Sequence, residues 1–417
     1  MRQGIGCVLW QAGSGTLAQV RRDLEAWRFV CRTMDAKGAD APPTGEDLLV
    51  VELRGQPLGP VAAVMTAHRA AGGATLALCH RDDLRAVSDA VSIGCDDLLV
   101  MPHDPVELVR RLQTLSSLAA LTAEHRRRHG FFAPYGADAP TTPVTPGTGR
   151  LGKVVLLGRP EQGQVQVSAA LPPTSLTYLE NAANLPVVLR SGGVDLLVVT
   201  EPGLLESALT AVETMAGGPP FLIAAHAGAP WALELPPQVD LLSLPAPVPL
   251  ARTRLALALR IAALRRWLRE PPLGPARDLL IDSLTGLYNQ GAFLDYLCRG
   301  GEDNALIGLE HDRLDWVNQQ SGYAAGNRVL AQLGQSVSRR VRAQDFSAHL
   351  GGGRFVVAVR VENGAKLERL RYRLQSTVAE DDPWLMLAAA EGLPVRGTPG
   401  QRLARLFRDL RRLRPAA

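Results

Sequence analysis

Lysine is nearly absent from this chain. Of its 45 basic residues only Lys37, Lys153 and Lys366 are lysines, a bias we read as genomic base composition. Cysteine is scarce too. Cys7, Cys31, Cys79, Cys95 and Cys298 are scattered, odd in number and without metal-ligand spacing. That excludes a disulfide framework or a zinc motif and reads as buried small residues in a reducing cytoplasm. No uncharged run is long enough to span a bilayer, and no leader pattern precedes the first strand-like run, GIGCVLW. Excess charge is missing as well: 45 basic against 41 acidic residues leaves +4, which argues against a nucleic-acid partner. What remains is 417 residues, 46% hydrophobic and 21% charged, enough for two to four packed domains.

Residues 1–128 alternate short apolar runs (GIGCVLW, DLLVVEL, TLALC, DDLLVM) with amphipathic stretches such as Pro60 to Ala71 and Asp82 to Ile93. A long helix is expected from about Asp104. This alternation implies a doubly wound parallel sheet. Residues 35–46 read as a loop insertion. Residues 129–150, rich in Pro, Gly and Thr, read as a linker. Residues 151–269 repeat the pattern with KVVLLG, DLLVV, PFLIAA and VDLLSLP, then the helical LARTRLALALRIAALRRWL. No first helix is evident between Gly158 and Leu185. REPPLGPARD reads as a second linker, and a third domain fills residues 270–417.

Two stretches carry the chemistry of that third domain. One is RAQDFSAHLGGGRF, with Arg342 and Asp345 three apart and a Gly351-Gly352 turn leading into FVVAV. A Gly pair between a polar stretch and a strand predicts a tight hairpin. An Arg with an Asp three residues on arises at about one position in 200 by composition. The other stretch runs from IDSLTGLYNQGAF through ALIGLEHDRLDWVNQQSGYAAGNRVL.

Together they resemble the GGDEF domain, the diguanylate cyclase fold. The resemblance implies a nucleotidyl-cyclase-like α+β domain whose hairpin carries two catalytic acids. It also implies an RxxD site for cyclic di-GMP, formed here by Arg342 and Asp345, with Arg373 supplied by the following helix. The acids are replaced by Gly353 and Arg354. Glu310 takes the place of a metal-binding Asp, Asn318 matches a guanine-contacting Asn, and Asn327 replaces an Asp that reads the guanine edge. An amide has one acceptor oxygen where a carboxylate offers two, so guanine recognition is expected to weaken. Two divalent ions and a base are needed for cyclisation, and Glu310 alone cannot hold two ions.

The two earlier domains resemble receiver domains, of flavodoxin-like, doubly wound fold. Glu52 and Thr200 stand at their phosphoacceptor positions, and both are expected to be degenerate. Gln11 and Ala12, then Gly158 and Arg159, replace the acids that hold Mg²⁺. Met101 and Leu244 replace the Lys. A solvated Glu52 is the favoured reading over a mimic of phospho-Asp.

The whole layout resembles response regulators of the PleD and PopA type, nearer the PopA pattern. The resemblance implies no catalysis, no required cofactor and no Mg²⁺. It implies cyclic di-GMP as ligand and an effector or adaptor role in cell-cycle control and regulated proteolysis, in the cytoplasm at a cell pole. Adaptor or protease-substrate proteins would be partners, and the receiver-like domains would form a homodimer. A residual diguanylate cyclase and a nucleotide-free scaffold are the two rival readings.

Overall fold

The computed structural model describes residues 6–11, 16–35, 47–54, 58–136, 152–159, 162–171, 175–213, 221–226, 239–301, 303–361, 364–381, 385–391 and 396–412. The chain divides into two compact units, one holding residues 3–123 and 142–266, the other 124–141 and 267–417.

The first unit contains two parallel sheets. The first runs through β1 (Gly6–Gln11), α1 (Thr16–Ala26), β2 (Val30–Asp35), β3 (Leu48–Glu52), α2 (Leu58–Ala70), β4 (Ala74–His80), α3 (Leu84–Ser92), β5 (Asp97–Met101) and α4 (Pro105–Phe132). The second runs through β6 (Lys153–Leu157), α5 (Gln162–Ala170), β7 (Ser175–Leu179), α6 (Leu185–Arg190), β8 (Val194–Val199), α7 (Leu205–Glu213), β9 (Phe221–His226), β10 (Val239–Ser243) and α8 (Val248–Arg269). Strand orders are β2-β1-β3-β4-β5 and β7-β6-β8-β9-β10, the same 2-1-3-4-5 flavodoxin-like winding twice. Continuous apolar runs make this possible. All five residues of β3 are buried, as strands covered on both faces must be.

Helix α5 lies where no helix was evident. Its sequence, QGQVQVSAA, alternates Val165 and Val167 at period two, which mimics a strand. Val167 is buried while Val165 is exposed. The 129–150 linker also needs correction. Helix α4 continues to Phe132 and ends in a turn at Ala133–Tyr135. Phe131 and Phe132 are buried in the core of the second unit. The run HRRRHGFF keeps a helical apolar face, so the chain stays packed where Pro and Gly suggested release. Residues 137–150, and 36–46 of the expected insertion, lie outside the described residues. Among the described residues no helix is long and apolar enough to cross a membrane.

The second unit adds α9 (Arg277–Leu280), α10 (Gln290–Tyr296), β11 (Ala305–His311), α11 (Leu314–Ser321), α12 (Tyr323–Arg340), β12 (Phe346–His349), β13 (Arg354–Val359), α13 (Gly364–Asp381), β14 (Leu385–Ala390) and α14 (Pro399–Arg412). The sheet order is β12-β13-β11-β14, antiparallel throughout. Strand alternation splits its core in two. Leu306, Val356 and Ala358 face Phe293, Leu406, Phe407 and Leu410. Ile307, Phe355 and Val357 face Leu333, Leu370 and Leu374. Gly308 lets α14 settle on the sheet: a Cβ there would lie 3.0 Å from Leu406 and Leu410 side-chain atoms.

Candidate functional site

The Gly-Gly turn is a real hairpin loop. Gly351 and Gly352 have φ of 84° and 57°, a left-handed conformation that glycine adopts without a Cβ penalty. The loop closes by a bond from the Leu350 N–H to the Arg354 carbonyl at 2.9 Å. Asp282 and His349 then fix it in place. Asp282 Oδ1 accepts from the Thr285 N–H at 2.9 Å and the Thr285 hydroxyl at 2.6 Å. It also lies 3.2 Å from His349 Nδ1, and His349 Nε2 lies 2.8 Å from the Gly352 carbonyl. Burial opposes ionisation of Asp282, but the Thr285 and His349 contacts outweigh it and hold its carboxyl below the usual value. The LTGL segment and the hairpin are therefore one assembly. His349 was missed from sequence; a His two residues before the Gly pair was the available signal.

Beside the loop, β11 and β13 put Glu310 and Arg354 opposite each other. Glu310 shares the α14 face of the sheet with Gly308, two residues earlier. The Arg354 guanidinium lies 5.7 Å from the centroid of the Phe407 ring. A Cβ at Gly353 would come within 3.0 Å of the His311 Cβ and carbonyl oxygen, and the His311 N–H donates to the Gly353 carbonyl at 2.8 Å. A side chain at 353 would need His311 to give by a few tenths of an ångström. Among the described residues no three His, Cys, Asp or Glu side chains converge on a point that could hold a metal. The two divalent ions implied by the resemblance do not fit here: a glycine and a guanidinium stand where their carboxylate ligands would be.

A cavity of about 470 Å³ opens between the hairpin, the start of α10 and α14. Arg354, Arg408, Arg411 and Gln290 supply its polar lining.

Asn318 and Asn327 sit apart in environment. A Cβ at Gly326 would collide with Asn318 Oδ1, so that glycine makes room for the half-buried amide. Asn327 is exposed on α12.

The RxxD stretch forms a closed turn. Asp345 Oδ2 accepts from the Arg342 backbone N–H at 2.9 Å, and the Asp345 N–H donates to the Arg342 carbonyl at 3.1 Å. The Arg342 side chain is left exposed while Asp345 is buried. Burial pushes the Asp345 carboxyl up to about 6. The same turn is gripped from behind by Arg128, which donates to the carbonyls of Asp345 at 2.8 Å, Ala343 at 3.3 Å and Leu268 at 2.6 Å. Glu124 holds Arg128 at 2.7 Å. Phe346, next in the chain, is stacked between Tyr288 and Tyr296, each with centroids 4.0 Å away. Arg373 lies exposed on α13.

Glu52 ends β3 and Thr200 follows β8. Glu52 is buried with its carboxylate 2.9 Å from His80 Nε2, which corrects the expectation of a solvated side chain. Thr200 gives its hydroxyl to the Leu157 carbonyl at 3.2 Å. Gly158 has φ of 137°, and a Cβ there would collide with Thr200 Oγ1, so an acid has no room. Ala12 lies outside the described residues.

Residues 279–386 match the family described as "Diguanylate cyclase, GGDEF domain". Diguanylate cyclase DgcP of Pseudomonas aeruginosa is 38% identical over 103 residues, covering 22% of this chain and 15% of that protein. The probable diguanylate cyclase DgcJ of Escherichia coli is 27% identical over 112 residues, covering 24% and 22%. The response regulator PleD of Caulobacter vibrioides is 26% identical over 281 residues, covering 63% of this chain and 61% of PleD. The chain thus spans 15% to 22% of the length of the two cyclases. Among solved structures, the GGDEF domain of DgcB from Caulobacter crescentus in complex with c-di-GMP matches with 19% identity and a TM-score of 0.28, covering 33% of this chain and 88% of that one. The chain therefore carries a GGDEF-type domain. The expectation that it is not an enzyme is overturned: its matched segment is that of diguanylate cyclases, and relatives over that segment are named as such.

Proposed function

We propose that the third domain is a diguanylate cyclase of residual rate, which joins two GTP molecules into cyclic di-GMP and also binds cyclic di-GMP at the Arg342–Asp345 turn. The observation that carries the reading is the assembled hairpin, with its Gly pair in the left-handed region, its Asp282–His349 clamp and Glu310 beside it. In the reaction a 3′ oxygen attacks an α-phosphorus and pyrophosphate leaves. In this reading Glu310, the carboxylate opposite Arg354 in the strand register, accepts the 3′ proton. Arg354 supplies positive charge where negative charge develops. With a single acid beside the hairpin, the rate should be far below that of a site with its full set of carboxylates.

Cyclic di-GMP binding is supported by a different feature. The buried carboxylate of Asp345 holds the turn, so the Arg342 fork is presented outward on a rigid support, suited to a guanine edge or a phosphate. In this reading the bound nucleotide is the signal passed to protein partners, as an effector or adaptor would do.

Purified protein incubated with GTP and Mg²⁺ is expected to form cyclic di-GMP slowly, detected by chromatography and mass. Glu310→Ala should abolish it. No product at any protein concentration would remove the cyclase reading. No binding of cyclic di-GMP at high micromolar concentration would leave a scaffold.

A further inference from the structure

Cys7 and Cys31 stand far apart in the sequence, and the first parallel sheet brings them side by side. Strands β1 and β2 pair in parallel with Cys7 opposite Cys31. Neighbouring strands run about 4.8 Å apart, inside the roughly 4.4–6.8 Å between Cα atoms that a disulfide spans. Residues opposite each other in a ladder send their side chains to the same face. The two thiols are hydrogen-bonded to each other, and both are free of any disulfide.

Their surroundings differ. Cys7 is buried on an inner strand, flanked by β2 and β3. Cys31 is half-exposed on β2, the edge of the sheet. The hydrogen bond from Cys7 holds the Cys31 thiol below its ordinary value, against its partial burial and the charge of Glu25, with help from Arg21. The same bond, together with burial, pushes the Cys7 thiol well up. Cys79 has no such partner: burial pushes it up to about 12, and its thiol donates to the Ala86 carbonyl at 3.4 Å. An accessible thiolate beside a second, protected thiol is the arrangement that peroxide-responsive cysteines need.

We propose that Cys7 and Cys31 form a reversible disulfide when the protein meets hydrogen peroxide, with Cys31 as the attacking thiol and Cys7 as the resolving one. The Cys31 sulfur attacks one peroxide oxygen. The O–O bond breaks, and the departing hydroxide takes up a proton and leaves as water. Cys31 is then a sulfenic acid. The Cys7 sulfur attacks the Cys31 sulfur, the S–O bond breaks, and the hydroxyl leaves as water with the Cys7 proton. The two thiols give up two electrons, and one peroxide becomes two waters. A dithiol reverses the bond by exchange. The bond ties the edge strand covalently to its neighbour, in a sheet whose phosphoacceptor position holds Glu52. The pair lies in the first unit and is independent of the cyclase reading.

The test treats the reduced full chain, at low protein concentration, with hydrogen peroxide. The protein is then alkylated under denaturing conditions and digested, and its peptides are read by mass. A linked pair of peptides holding Cys7 and Cys31 is expected, lighter by two hydrogens than the free peptides and separated again by dithiothreitol. In Cys7→Ser the resolving thiol is gone, so dimedone should trap sulfenic acid at Cys31 several-fold more than in wild type. In Cys31→Ser the buried Cys7 should stay reduced and take the alkylating label. Peptide mapping reads the exposed Cys298 separately. The wild-type readout depends on neither variant. Wild type that keeps both Cys7 and Cys31 alkylatable after peroxide would overturn the proposal, as would equal dimedone labelling of Cys31 with and without Cys7.

Discussion

Arginine plays opposite parts at two places in the molecule, the joint between the parallel sheets and the cavity beside the hairpin. In the first, Arg111 and Arg254 are buried and matched with acids. Arg111 meets Asp97 at 3.3 Å and also pairs with Asp240. Arg254 meets Asp97 at 3.7 Å and Glu107 at 2.6 Å. The two halves even repeat the arrangement: Asp97 is the first residue of β5 and Asp240 the second of β10, and each stands fourteen positions before an arginine. Arg111 donates to the Leu241 carbonyl and Arg254 to the Leu98 carbonyl. In the second unit, Arg354, Arg408 and Arg411 surround a cavity with no acid in its lining. Matched and buried arginines hold a fold together; unmatched ones at a hollow are available to a ligand. The matched arginines also join the two parallel sheets of the first unit. Their joint is built from β5–α4 and β10–α8, away from Glu52 and Thr200.

The largest effect should come from breaking the matched set. Arg111→Leu would leave Asp97 and Asp240 buried with their strongest partner gone. Removing one member of a buried ion pair costs about 3–5 kcal/mol, and Arg254 can offset part of that only at Asp97. Urea unfolding of the variant should show that loss while GTP-dependent chemistry in the surviving folded fraction is unchanged. A variant as stable as wild type would mean that the acids are solvated and that the pseudo-symmetric joint is looser than its distances indicate.

Much of this architecture was legible from sequence because it depends on long periodic runs. All the apolar runs named for the two sheets became strands, and the helices from Asp104 and through LARTRLALALRIAALRRWL formed. What failed did so for physical reasons. β2 and β7 carry VCRTMD and SLTYL, polar enough to hide at a sheet edge. The end of α4 looked like linker because its role depends on tertiary partners: the Glu124–Arg128 pair and Phe131 gain meaning only against Phe346 and Tyr296. At the candidate site, the positions of Gly353, Arg354, Arg342 and Asp345 were readable, but their roles in the fold were not. Sequence spacing paired Arg342 with Asp345 as an RxxD site, and it could not show that the aspartate bonds to the backbone.

That buried aspartate gives an intermediate effect. Its folded-state pKa, about 6, lies above the ordinary 3.8, so the native state holds its proton longer than the unfolded chain. The stabilising contribution is therefore present below about pH 4 and is lost as pH rises through about 6. Asp345→Asn keeps an acceptor for the Arg342 N–H and removes the charge. It should raise stability at pH 7.5 by about 1–3 kcal/mol and flatten the profile between pH 4 and 6. If the variant is less stable at pH 7.5, the ionised carboxylate is worth more to the turn than its burial costs.

Arg342→Ala should change stability least. Its side chain is exposed and the turn is held through its backbone N–H, which alanine retains, so unfolding should shift by no more than about 0.5 kcal/mol. Ligand binding should respond in the opposite proportion. Loss of a charge-assisted contact costs about 1.5–3 kcal/mol, a weakening of cyclic di-GMP affinity of at least about tenfold. Arg373→Ala should cost less if Arg369, one turn before it on α13, takes over the same phosphate. One secondary effect separates the two arginines. The Arg342 charge helps to keep Asp345 ionised, so Arg342→Ala should move the pH-dependent loss of stability to slightly higher pH, whereas Arg373→Ala should leave it in place. Calorimetry for affinity and urea unfolding at several pH values for stability would read both. An Arg342→Ala protein that binds cyclic di-GMP as wild type does, with its pH profile still displaced, would mark Arg342 as a neighbour of the buried aspartate and nothing more.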